Sequence, residues 1–228
     1  MSEEQKNSNP TRTIPVFPLP NVVLFPKVHL PLHIFEPRYR QMVKDIAEDH
    51  RLIGMALLRG DWEKRYHGNP DIYPVGCVGE IVSVTPFPDG RYNIVLYGRT
   101  AYEIQEHILE KTPYRQAKVL LREEFQGPEK GLSSALRKEI LGLVQQTAAE
   151  KESELVKILS DHSLEEETWL NFCCFSLDVS VLEKQSLLEA ESLEERANYL
   201  LNVLHFKVAE KGTPFEGLAE SKDRKPLN

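Results

Sequence analysis

The chain has 228 residues, 41% of them hydrophobic and 28% charged, and its 28 basic and 35 acidic side chains leave a formal net charge of −7. That balance belongs to globular proteins and excludes collagen-like, disordered and membrane-spanning classes for the bulk of the chain. A pI near 5.6 lacks the basic surplus of a dedicated nucleic-acid binder, so nucleic acid is not an expected partner.

Three cysteines, Cys77, Cys173 and Cys174, cannot make an even disulfide framework. The adjacent pair would point about 100° apart on a helix, badly placed to bridge. The first thirteen residues are polar and lack the apolar core of a signal peptide. The uncharged run 13–26 holds four prolines and is too short to span a bilayer. A cytoplasmic protein without a membrane partner is the expectation.

Proline and glycine divide the sequence. Thirteen of the fifteen prolines lie at or before Pro128, and between Gly131 and Gly212 only Gly142 interrupts. Charge divides at the same place: residues 1–127 carry 16 basic and 16 acidic side chains, residues 128–228 carry 12 and 19. Four segments follow: a disordered tail 1–12, a β-rich subdomain 13–126, a helical subdomain 127–210, and a flexible tail 211–228.

In chain order, the opening 14–25 (IPVFPLPNVVLF) is broken by prolines and cannot be a fully paired central strand. Its bland reading is an edge or lead-in strand packing Val16, Leu19, Val22 and Leu24 inward. Its functional reading is an apolar groove for extended peptide, with Phe17, Leu19 and Phe25 as contacts. Pro37 suits the first position of a helix, and Tyr39, Met42, Val43 and Ile46 recur on one face after it. Runs 52–58, 75–84, 92–97 and 114–122 are short, β-branched and bounded by turn residues, as strands are. Between the first two, Trp62, Tyr66 and Tyr73 offer a second candidate contact surface. Asp89-Gly90 marks a turn that Pro86 and Pro88 make longer than two residues, and Phe87 joins the candidate contacts.

The rear half reads as four or five helices. Leu132, Leu136, Ile140, Leu143 and Val144 form one stripe, and Leu193, Ala197, Leu200, Leu201, Leu204 and Val208 another. Ser163, Ser180 and Ser192 each precede a glutamate by three residues, the pattern of a capping box.

Signals of chemistry are sparse. No GxxxxGK[ST], GxGxxG, HExxH or GxSxG string occurs. His29 and His33 flank Pro31, which argues against a helix, and on a strand their Cα atoms would lie roughly 13 Å apart, too far to share an ion. No metal and no cofactor are therefore expected. The run Glu165–Glu166–Glu167 reads as a solvated helix start rather than a catalytic cluster, and Cys173 and Cys174 as core rather than reactive thiols. Arg38 and Arg40 beside Tyr39 read as solvated helix positions.

Residues 14–43 (IPVFPLPNVVLFPKVHLPLHIFEPRYRQMV) resemble the opening of the Lon protease N-terminal, substrate-binding domain family. So do 71–81 (DIYPVGCVGEI), 87–104 (FPDGRYNIVLYGRTAYEI) and 176–204 (SLDVSVLEKQSLLEAESLEERANYLLNVL), in the family's order. The resemblance covers about residues 13–206. It implies an α+β protein: a PUA-like pseudobarrel with one inserted helix, then an α-helical bundle. It implies a non-catalytic holder of unfolded or degron-bearing polypeptide, with a separate protease or chaperone as a further partner and a homodimer left open. The family's ATPase and serine–lysine peptidase domains have no room in 228 residues, so no catalytic residues carry over. The competing reading is a PUA-like binder of RNA or a small ligand.

Overall fold

The computed structural model describes residues 11–47, 51–65, 68–108, 112–122, 131–147 and 153–212. Breakers cut the front half into strands β1 (Thr11–Leu19), β2 (His29–Ile34), β3 (Leu52–Leu57), β4 (Val75–Pro86), β5 (Tyr92–Ile108) and β6 (Arg115–Leu121), with helix α1 (Pro37–Ile46) after β2. Pro37 opens α1 as its missing amide permits, and Tyr39, Met42, Val43 and Ile46 are its buried face. The rear half supplies α2 (Ser134–Thr147), α3 (Ser153–Leu159), α4 (Glu166–Ser176), α5 (Val181–Glu189) and α6 (Leu193–Gly212). A mixed sheet followed by a helical cluster is an α+β protein.

The strands form one sheet in the order β2-β5-β4-β3-β1-β6, and β5 also pairs β6. Five strands thus return on themselves, with β2 attached outside along the first half of β5. Long strand β5 serves both neighbours by bending: bulges interrupt its register with β4 at Val78/Gly79 and Ile81/Ser83, and with β6 at Ile104/Glu106. The sequence run 92–97 is only the β2-facing portion of this strand, which continues eleven residues further.

Strand β1 is interior to the order, not an edge. It pairs β6 antiparallel from Thr11 to Val16 and β3 parallel from Val16 to Leu19. Only Val16 is flanked on both sides. Pro15 and Pro18 therefore sit where a single neighbour is present, and each missing amide can face the open side. β1 begins at Thr11, two residues ahead of the expected start of the β-rich segment.

Two apolar clusters result. The smaller draws on Ile14 and Val16, Ala56, Val78, Tyr102, Ala117 and Val119, which come from all five ring strands and fill the ring. Here the Tyr102 hydroxyl donates to the Met55 carbonyl at 3.1 Å, and Gly76 lies so close that a Cβ would meet that same oxygen at 2.2 Å. The larger cluster runs without interruption from Phe17, Phe25, Met55 and Cys77 through α1 to Trp169, Leu187, Leu200 and Leu204.

Helix α6 is the hub of the rear half, packing against α2, α4 and α5. The Ser180 capping box forms in full: Glu183 N donates to Ser180 Oγ at 3.2 Å and Ser180 N to Glu183 Oε2 at 2.7 Å. At Ser192 half of the box forms, because Glu195 Oε2 accepts from Glu191 N instead. At Ser163 it does not form: the α4 N-cap is Glu165, and Glu166 accepts from the Leu132 amide at 2.7 Å, tying α4 to the start of α2.

The acidic run is likewise more than a wet helix start. Lys27, held with positive φ (62°), reaches Glu165 at 3.0 Å and Glu167 at 2.8 Å. Glu167 is buried, and Asn171 links it to Arg196. Arg196, 1% exposed, donates through Nε to the Leu187 carbonyl at 2.8 Å and through Nη1 to Asn171 Oδ1, with its guanidinium 5.8 Å from the Phe25 ring centroid. This chain of polar contacts joins the sheet to α4, α5 and α6. It satisfies every member, as burial of a cation demands.

Candidate functional site

Strand alternation builds the first candidate surface. Leu30, Leu32 and Ile34 point toward the core, so the next residue, Phe35, faces outward between β2 and α1, and it is 60% exposed. Its ring stacks on His33 with centroids 6.2 Å apart. His33 in turn meets Phe87 edge-on at 5.9 Å, and the Arg91 guanidinium lies 5.8 Å from the Phe87 centroid. The hairpin turn between β4 and β5 places Phe87 there. Gly90 has φ 81°, Gly90 N donates to Phe87 O at 2.9 Å, and Asp89 Oδ1 accepts from Arg91 N at 3.1 Å. The connection is a five-residue loop, 87–91, longer than two residues as Pro86 and Pro88 predict. Asp89 is held below the usual carboxylate range, first by that backbone amide and then by the Arg91 side chain.

Val82 and Val84 are also exposed, at 48% and 42%, but Val84 pairs Ile94, which pairs Leu32, so it lies on the opposite face of the hairpin from His33 and its partner Asn93. β2 is bordered only by β5 among the described residues, so its other edge is open. Pro31 removes one donor from it, which limits pairing with a second chain. Aromatic rings, an arginine and a partly blunted edge make a surface suited to gripping apolar side chains more than to extending a sheet.

The other sequence candidates fall elsewhere. Phe17 and Phe25 are core side chains: Phe17 packs on Tyr39 with centroids 4.2 Å apart, and Phe25 has no exposure and lies under Arg196. Neither ring offers surface to an incoming chain. Leu19 is half-buried against the same core. Trp62 and Tyr73 are half-buried, Trp62 against the cluster inside the ring and Tyr73 against the larger one, with Arg59 5.7 Å from the Tyr73 centroid. Tyr66 lies outside the described residues, as does the 127–128 boundary. Sequence reasoning missed Phe35, His33 as its stacking partner, and Arg91. The signal was present in the alternation through Leu30, Leu32 and Ile34.

His29 packs on Tyr97 with tilted rings and His33 Nδ1 bonds Asn93 Oδ1 at 2.7 Å, so each histidine has its own partner across the sheet. Among the described residues no group of three metal-ligating side chains converges. Cys77, Cys173 and Cys174 are free and buried, and burial pushes all three thiols up, Cys174 to about 12. No helix of the described residues is long and apolar enough to cross a membrane.

Comparison with known proteins adds the context of this geometry. Residues 13–205 match the family described as the ATP-dependent protease La (LON) substrate-binding domain. The Lon protease of Parabacteroides distasonis is 29% identical over 199 residues, covering 85% of this chain and 24% of that protein. The Lon protease of Cytophaga hutchinsonii is 27% identical over 213 residues, covering 89% of this chain and 25% of that protein. The chain thus spans about a quarter of the length of the curated relatives it matches. Among solved structures, a Lon N-terminal domain protein from Xanthomonas campestris superposes with TM-score 0.59 at 20% identity, over 84% of this chain and 98% of that one. The N-terminal domain of Mycobacterium avium complex Lon protease gives 0.61 at 16%, over 87% and 99%. At these identities the likeness speaks to fold.

Proposed function

Because the chain belongs to the Lon substrate-binding domain family, we propose that it recognises polypeptide through the exposed aromatic surface formed by Phe35, His33, Phe87 and Arg91, and that it does no chemistry of its own. The observation that carries the reading is Phe35, a large apolar ring left 60% exposed beside a second ring and a cation. Flexible, partly unfolded clients expose the aliphatic and aromatic side chains that such a surface takes up. In this reading residues 13–126, a PUA-like pseudobarrel, do the recognising, and residues 127–210 buttress them. Clients include unfolded or degron-bearing chains, passed to a separate protease or chaperone.

The test is fluorescence anisotropy with a permanently unfolded, reduced and carboxymethylated protein as probe. Binding should weaken at least tenfold in the double variant Phe35→Ser/Phe87→Ser, with the far-ultraviolet circular dichroism unchanged. Absence of binding by the parent chain, or equal binding by the variant, would overturn the proposal.

A further inference from the structure

A second feature lies away from the aromatic surface. Where β5 ends and β6 begins, a cleft of about 190 Å³ opens between the 68–70 turn, Arg38 and Tyr39 of α1, His107, and Tyr114 and Arg115. Its walls mix polar and apolar surface, with Pro18, Tyr39, Pro70 and Tyr114 all buried. Its charged lining is of one sign. Arg38, Arg115 and His107 face it, and among the described residues no aspartate or glutamate lines it.

Arg115 is the unusual member. It is half-buried, yet its hydrogen bonds go to neutral acceptors, Asn69 Oδ1 and the Pro70 carbonyl (2.5 Å), both from Nη2. Among the described residues no carboxylate lies within ion-pair distance of it. Among the described residues, the acids beside the lining residues are engaged elsewhere: Asp71 with Arg65 at 2.7 Å, Glu36 with Arg38 at 3.0 Å, and Asp45 with the Tyr114 hydroxyl at 2.8 Å. Burial, with a smaller contribution from Arg38, disfavours the charge on Arg115 against the opposing pull of Tyr39 and Asp71, and burial followed by Arg115 holds His107 below its ordinary value. A half-buried guanidinium with its Nε and Nη1 donors unspent, beside a second arginine, can still give a carboxylate single charge-assisted hydrogen bonds.

We propose that this cleft is a carboxylate-binding pocket for the client polypeptide, taking either its free C-terminus or an acidic side chain. This inference rests on the polypeptide-recognition reading for the source of its ligand. The volume is below the roughly 300–1,000 Å³ of drug-sized sites, so a carboxylate and a short side chain fit while a nucleotide does not. The pocket would give the module a directional contact in addition to the apolar grip at Phe35 and Phe87.

The experiment uses small probes, so its outcome is independent of whether unfolded protein binds the aromatic surface. The His107 ring signals of the full chain are followed by NMR during titration with N-acetyl-alanine, N-acetyl-alanine amide, the α-amide of N-acetyl-glutamate, and inorganic phosphate. The carboxylate probes should give saturable shifts and raise the His107 pKa, and the neutral amide should give neither. A stronger response to N-acetyl-alanine assigns the pocket to chain termini, and an equal response to the glutamate probe assigns it to acidic side chains. Arg115→Gln should weaken the response at least tenfold, and Arg115→Lys less, with retained circular dichroism showing that both fold. If Arg115→Gln fails to fold, Arg38→Gln serves in its place with the same expected direction. No saturable shift, an equal response to the amide, or tighter binding of phosphate than of either carboxylate would overturn the proposal.

Discussion

Truncating Arg196 to alanine tests whether the buried polar chain between sheet and helices stabilises the protein as described. The substitution orphans two buried acceptors, Leu187 O and Asn171 Oδ1, each at a cost of about 1–3 kcal/mol. Glu167 keeps Lys27 at 2.8 Å but loses the second cation that Asn171 relays to it, and the space over Phe25 empties. Removing one partner from such a buried set costs about 3–5 kcal/mol, and at 2–4 °C per kcal/mol for a chain of this size Tm falls by roughly 6–20 °C. Urea denaturation followed by circular dichroism gives the value directly, with an unchanged slope as the sign that only stability moved. Arg196→Met, which keeps the stem and its packing, should lose less than the alanine variant, and the difference measures the cavity. A loss below about 1 kcal/mol for Arg196→Ala would refute the account and make the guanidinium a tolerated passenger.

Further outcomes follow from other positions. Gly76→Ala, whose Cβ would sit 2.2 Å from the Met55 carbonyl and 2.5 Å from the Tyr102 hydroxyl, should lower stability by about 3 kcal/mol. Gly142→Ala, in α2 with open space around it, should raise stability by about 0.5–1 kcal/mol in the same urea assay. The three thiols should resist an aromatic disulfide reagent at pH 8 in the native protein and react in full in denaturant, because burial keeps them protonated. His107 should titrate below 6.5 by NMR. Its folded value lies under its unfolded one, so the unfolded chain takes the proton first and stability declines as pH drops below about 6.5. Arg115→Gln should move the His107 titration back upward.

Much of this was readable from local pattern. Helix α1 follows from Pro37 and four apolar residues at helical spacing, and the Ser180 box from two residues three apart, because both depend on neighbours within a turn. The interior place of β1 was not readable. Prolines argue for an edge, and only the one-sided pairing with β6 and then β3 explains their presence. The burial of Glu167 and Arg196 was hidden for the same reason: Lys27 lies 140 residues before its partner, and periodicity says nothing about such pairs. At the candidate surface, composition drew attention to Phe17 and Phe25 because they are large and apolar, which is also why they are buried. Phe35 could have been found from the register of β2 alone.

The uninterrupted core has an implication for how the chain can be cut. Trp169, Leu200 and Leu204 belong to the same apolar mass as Phe25 and Cys77. A fragment ending near residue 127 would therefore wet the greasy underside of its strands and aggregate instead of standing alone. Calorimetry of the intact chain should show a single endotherm, and shortened versions for client studies need to retain α6.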